Sequence, residues 1–175
     1  MNKILAIDLG TKTGFALSGG HGGTWKLASP KEITIQHRLR GDRRLDVRIP
    51  RLLSNLETLY KERPFQWLVW EDVLFSSSTL QTQMWSSLRT TLWIFAHQRG
   101  LKTECLNTAS LKKFATGNGA ADKNLMAAWL AKTQPDLFRF FDGALRRVDN
   151  NEKVDDNQTD AVHLLLWAGQ TLKNP

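Results

Sequence analysis

The chain has 175 residues, one cysteine and a net charge of +7. That length holds a single domain burying about two-thirds of the surface its unfolded chain would expose. One cysteine excludes a disulfide framework and a zinc cluster and suits a reducing cytoplasm, with Cys105 read as a small buried hydrophobe. No apolar run approaches the roughly 18 residues of a membrane span, and Asp8 comes too early for the apolar region of a signal peptide. A soluble, unprocessed cytoplasmic protein is expected, and the basic balance favours a polyanionic partner such as nucleic acid.

Residues 3–8 read as a buried strand, 9–14 as a turn-rich break, 15–17 as a second short strand, and 24–28 as a third after a glycine hairpin at 19–23. The opening third is therefore an antiparallel meander. Between about 41 and 63, Leu45, Ile49, Leu52, Leu53, Leu56 and Leu59 recur at helical spacing. Residues 65–73 return to a strand rich in aromatic and β-branched side chains, 80–99 form a second long helix, and 101–106 the fifth strand. Then come a short helix at 109–114, a glycine loop at 116–119, a helix at 123–132, a polar connector and a final helix at 156–172. The order βββαβαβ followed by helices predicts an α/β fold: a five-stranded mixed sheet, three strands antiparallel and two parallel, flanked by helices. The polar stretch 142–153 is read as mobile. No internal repeat is present.

Three groups of acids stand where a fold of this kind keeps its ligands. Asp8 ends the apolar run Ile4-Leu5-Ala6-Ile7, and Glu71 ends Trp67-Leu68-Val69-Trp70; strand C-terminal ends are the usual site of open α/β sheets. Asp8 by itself is explained as readily by turn capping. A carboxylate buried beside Trp70 costs several kcal/mol unless a cation or proton joins it. Asp72 points to the opposite face, so only one of the Glu71–Asp72 pair serves the site. Asp156 and Asp160 lie one turn apart on the final helix, where like charges repel unless a cation sits between them. Helix capping explains Asp155 and Asp156 equally well, but not Asp160. Hard oxygen donors without histidine or thiolate point to Mg²⁺ or Mn²⁺. Two such ions about 4 Å apart activate water and stabilise the leaving 3′ oxygen of a phosphodiester. The four histidines show no metal spacing, and His163, three residues after Asp160, reads as structural. The opening Ile-Asp-Leu-Gly-Thr also resembles the phosphate hairpin of actin-like sugar kinases, but those need two duplicated domains and 175 residues cannot supply them.

Four segments together carry a more specific resemblance: Ile-Asp-Leu-Gly-Thr-Lys-Thr-Gly-Phe-Ala at 7–16, Trp-Glu-Asp-Val at 70–73, Leu-Lys-Lys-Phe-Ala-Thr-Gly-Asn-Gly-Ala-Ala-Asp-Lys at 111–123, and Asp-Asp-Asn-Gln-Thr-Asp-Ala-Val at 155–162. In order and spacing they resemble the signature segments of RuvC Holliday junction resolvases, with the short phage and prophage branch most similar. The resemblance implies an RNase H-like domain that cuts branched DNA, such as a four-way junction, as a homodimer, each subunit nicking one strand with two Mg²⁺ per site. It places Asp8, Glu71 and Asp160 on three of the family's four metal-binding acids and puts Lys112 and Lys123 near the scissile phosphate and DNA backbone.

The chain departs from the family pattern in three places. Asn157 holds the usual position of the fourth acid, so that ligand is Asp156, one turn from Asp160, with Asp155 as a rival and Asn157 as a neutral ligand or water positioner. The aromatic wedge position holds Leu74, with Phe75 next to it as either a wedge or a core residue. Trp85-Ser86-Ser87 replaces the small-residue spacing of the dimer helix, so the dimer contacts differ. Arg38, Arg40, Arg43, Arg44, Arg48 and Arg51 are expected to position DNA phosphates. Trp25, Trp70 or Trp85 stacks on unpaired bases or fills an interface, against a core role for most of the seven tryptophans. The rival readings are an RNase H-like enzyme acting on RNA or flaps, as in YqgF-type proteins, and a non-catalytic branched-DNA-binding module.

Overall fold

β1 (Ile4–Asp8) lies at the centre of a five-stranded sheet because its Ile4 to Ile7 run is apolar on both faces and is covered on both. It pairs antiparallel with β2 (Lys12–Leu17), which pairs antiparallel with β3 (His21–Lys26). On its other side it pairs parallel with β4 (Trp67–Asp72), and β4 pairs parallel with β5 (Lys102–Asn107), giving the order β3-β2-β1-β4-β5. This is the mixed sheet the sequence predicts. The computed structural model describes residues 3–38, 45–73, 78–140 and 155–172.

Strand alternation sorts side chains into two layers. Leu5, Ile7, Leu68 and Trp70 pack on one face against α2 (Arg48–Glu62) and α3 (Thr79–Gln98), through Leu52, Leu56 and Leu59 and through Leu88, Leu92 and Phe95. Ile4, Ala6 and Val69 pack on the other face against α4 (Thr108–Thr116), α5 (Lys123–Thr133) and α7 (Asp156–Thr171), through Leu111, Ala115, Met126, Leu164 and Ala168. The same alternation puts Asp8 and Glu71 on the α7 face and Asp72 on the α3 face.

Several sequence expectations change. The second and third strands are longer than expected, and the turn between them is carried by Gly19 and Gly20, at φ 101° and 86°. An unforeseen helix α1 (Pro30–Arg38) follows β3. Ser29 and Glu32 close a reciprocal capping box at its start, with Pro30 at the first helical position. The first long helix begins at Arg48, and Leu45, read as part of its apolar stripe, precedes it and is 65% exposed. A short helix α6 (Pro135–Phe140) occupies part of the polar connector. Cys105 is exposed rather than buried, because β5 is an edge strand and its first four residues all face solvent. The stretch 142–153, Leu74 and Phe75 lie outside the described residues. No described helix is long and apolar enough to cross a membrane.

Two of the arginines expected on DNA are struts of the fold. Arg48 is buried, pairs with Asp46 and donates to the Thr11 hydroxyl at 3.0 Å, tying α2 to the turn after β1. Arg51 donates to the Leu27 carbonyl at 2.9 Å and pairs with Glu32 at 2.6 Å, fixing α1 to α2. Arg38 is exposed at the end of α1. Arg40, Arg43 and Arg44 lie outside the described residues.

Candidate active site

The parallel register of β1 and β4 pairs Ala6 with Val69 and Ile7 with Trp70. One step further along the same register sets Asp8 beside Glu71, on one face and at the C-terminal ends of both strands. The third carboxylate arrives from α7 by a close backbone approach. Gly14 on β2 pairs with Asp8, and a Cβ there would lie 1.9 Å from the Asn157 carbonyl oxygen. With glycine at 14, the first turn of α7 rests on the backbone of β2 and Asp160 comes over Asp8 and Glu71. The sequence reading treated Gly14 as part of a turn. Its significance lies in a contact with residue 157 that no local pattern encodes.

The charges of these acids act on one another. Burial raises the Asp8 carboxyl well above the usual carboxylate range, and the charges of Glu71 and Asp160 raise it further. Asp160 is pushed up to about 7, first by burial and then by Glu71. Glu71, only 6% exposed, is also raised by burial. It is opposed by a hydrogen bond with the Thr108 side chain and by the charge of Lys112. Thr108 stands at the start of α4, whose cap is Asn107, with Oδ1 accepting from the Ser110 amide at 2.9 Å. Thr108 was not singled out from the sequence. A threonine following a strand-end asparagine was the available signal.

The expected lysines are part of this cluster. Lys112 lowers the carboxyls of Glu71 and Asp160, and Lys123 lowers those of Asp8 and Asp160. Lys123 Nζ makes a short contact with Asp156 Oδ2, so one of the four acids already has a counter-ion. Asp155 caps α7, accepting from the Gln158 amide at 3.4 Å, and Asn157 Nδ2 donates back to it at 3.3 Å. Of the alternatives for the fourth acid, Asp155 thus has a structural task and Asp156 an ion pair.

Asp8, Glu71 and Asp160 offer hard-oxygen donors of the type a divalent cation takes, in a desolvated region where Lys112 and Lys123 partly offset their charge. Among the described residues no group of three or more acids, histidines or cysteines stands close enough to hold a metal ion as the side chains lie. Asp8, Asp156, Asn157, Asp160 and Lys123 line a cleft of about 790 Å³.

Other expected groups fall elsewhere. His163 is buried on α7 with Nε2 donating to the Met126 carbonyl at 3.0 Å, a strut between α5 and α7. Trp25 stacks on Phe15 at 4.3 Å, and Trp70 is in the core edge-on to Trp93. Only Trp85 of the three tryptophans faces the cleft.

A sheet of this order with its helices on these faces is the RNase H-like fold of the RuvC resolvases. Thermus thermophilus RuvC in complex with a Holliday junction substrate aligns with a TM-score of 0.67 at 15% identity, over 97% of this chain and 93% of that one. A second Thermus thermophilus RuvC structure gives 0.64 at 17% identity over 95% and 93%, and the yeast mitochondrial Holliday junction resolvase gives 0.60 at 13% over 93% and 75%. At these identities the likeness is one of fold. No family model and no curated protein matches the sequence.

Proposed function

We propose that this chain is a Mg²⁺-dependent, structure-selective endonuclease that resolves Holliday junctions and other branched DNA by paired nicks, acting in the cytoplasm as a homodimer. The observation that supports it most is the meeting of Asp8, Glu71 and Asp160 in a desolvated cluster, where the charges of Glu71 and Asp160 raise the proton affinity of Asp8 and the charge of Glu71 raises that of Asp160. On a fold shared with junction resolvases, such an excess of negative charge is best used to hold divalent cations against a phosphodiester.

Asp8, Glu71 and Asp160 would hold the ions, with Asp156 as the fourth oxygen donor; Mn²⁺ substitutes for Mg²⁺. Held by these acids, two ions would supply an activated water for in-line attack and a Lewis acid for the leaving 3′ oxygen, and the products would carry 5′ phosphate and 3′ hydroxyl. The protein's own groups orient and compensate. Thr108 fixes the Glu71 carboxylate, the Asp155 cap fixes the first turn of α7, and Lys112 and Lys123 offer positive charge to the non-bridging oxygens of the phosphate being cut. Lys123 has a second task, holding Asp156 in place of a cation before substrate arrives.

A synthetic four-way junction with Mg²⁺ tests the assignment. The wild-type protein should nick two opposed strands symmetrically, while Asp8→Asn still binds the junction and does not cut it. Cutting by Asp8→Asn, or metal-independent binding with no cleavage by the wild type, would sink it; the latter outcome favours a binding module. Faster cutting of a flap or RNA–DNA hybrid would redirect the substrate assignment.

A further inference from the structure

The cleft beside the carboxylates is lined by both cationic and apolar side chains. On β2 and β3, Lys12 and Lys26 are direct cross-strand partners, both exposed, and both line it. Like charges directly opposite on neighbouring strands destabilise a sheet. Neither lysine has an ion pair among the described residues. Met84 and Trp85 from α3 and Ile33 from α1 also line it, with Trp85 half-buried. Arg48, through Thr11 and Met84, and Arg51, through Glu32, brace the elements that carry these apolar groups.

We infer that this cleft is a subsite for an unpaired deoxynucleotide of the strand being cut, with its phosphate on Lys12 and Lys26 and its base stacked on Trp85. The inference rests on the nuclease reading and adds the state of the substrate beside the cut. Cationic side chains and an aromatic ring lining one cleft match the two halves of a nucleotide, its backbone charge and its π-face. The volume, about 790 Å³, lies within the range of small-ligand sites and suits one or two nucleotides of a single strand rather than a duplex. A strand seated there has left its complement, so local unpairing at the branch point becomes part of recognition, and a fully paired duplex is refused because its bases cannot reach Trp85. The lysines give this subsite affinity without sequence preference, whereas the platform favours bases that stack well.

The test uses the full chain and two substrates. In single-turnover cleavage of a four-way junction with Mg²⁺, Trp85→Ala should slow cutting about 10- to 100-fold, the loss of one stacked base. An abasic nucleotide at one position flanking the cut should slow the wild type similarly, and the two losses should not multiply. Trp85→Phe keeps a stacking ring and should retain most of the rate. The Lys12→Ala/Lys26→Ala double variant, altered only on the surface, should weaken binding and reduce the logarithmic salt slope by about 1–2. Unchanged rates in Trp85→Ala, or losses that multiply with every abasic position, overturn the subsite while leaving the nuclease intact. If the wild type cuts no junction, the nuclease reading fails and the subsite is judged by fluorescence anisotropy of labelled oligothymidylate. Tenfold weaker binding in Trp85→Ala and in the lysine double variant upholds it, and unchanged binding in both overturns it.

Discussion

Glu71 and Asp72 are neighbours on one strand with opposite surroundings. Asp72 faces the α2–α3 layer and is paired with Arg89 at 3.0 Å, with Arg89 in turn lying over the Trp93 ring. Glu71 faces the α7 layer, is more deeply buried, and shares its space with Asp8 and Asp160. The difference separates charge neutralised by a partner from charge gathered with like charge. On the α3 side Asp72 has its own base in Arg89. On the α7 side acids outnumber the bases, and stability is spent to keep them together.

The largest expected effect is on chemistry. Glu71→Gln should lower junction cleavage by about 10³-fold or more, as loss of a group that holds the catalytic ion would, whereas Asp72→Asn should leave the rate within about twofold and cost about 0.5–1 kcal/mol in a denaturant melt, the loss of one partly exposed ion pair. Equal losses from the two substitutions would erase the contrast between the faces.

Next comes the seat of α7. Gly14→Ala puts a carbon where the Asn157 carbonyl already stands, so the helix must lift. We expect about 2–4 kcal/mol of destabilisation, more than an ordinary overpacked core site, together with loss of cleavage. A variant with wild-type melting and activity would show that the close approach is not what positions Asp160.

The third effect is on pH. Asp160 ionises at about 7 in the folded protein, against 3.8 for an ordinary aspartate. Between those values the folded state binds more protons than the unfolded state, so metal-free stability should fall as pH rises from about 4 to about 7 and level off above that. Mg²⁺ should flatten the decline, because binding to the folded state alone stabilises it. Thermal melts across that window, with and without Mg²⁺, check the sign; a metal-free protein that gains stability over the same range would contradict it. The smallest effect follows from the same source. Asp160→Asn should stabilise the metal-free protein at pH 8 by about 1–3 kcal/mol, the order of a buried polar group relieved of its charge.

The carboxylate face was legible because its rule is local. Period-two alternation along residues 4–8 and 67–72 fixes which acids share a side, and four-residue spacing on a helix fixes Asp156 and Asp160. Helix α1 was equally legible and was passed over: Ser29, Pro30 and Glu32 spell a capping box and a first-turn proline. The fates of Arg48 and Arg51 were not legible, since a strut and a phosphate contact use the same residue type and differ only in what stands opposite. Gly14 belongs to this second kind. Its partner is more than a hundred residues away, and a glycine in a strand can equally signal a bulge, a bend or a close approach. Cys105 misled because a free cysteine is among the most buried residue types, whereas its strand sits at the edge of the sheet.

The seat of α7 on β2 also bears on the order in which the protein is made. Among the described elements α4 and α5 come before α7, so a partly synthesised chain can pair its strands, cover the α2–α3 face and bring α4 and α5 to the other while the backbone over Gly14 stays open. Asp8 and Glu71 are then side by side without Asp160. The full set of acids comes together only when α7 settles on Gly14, late in chain order.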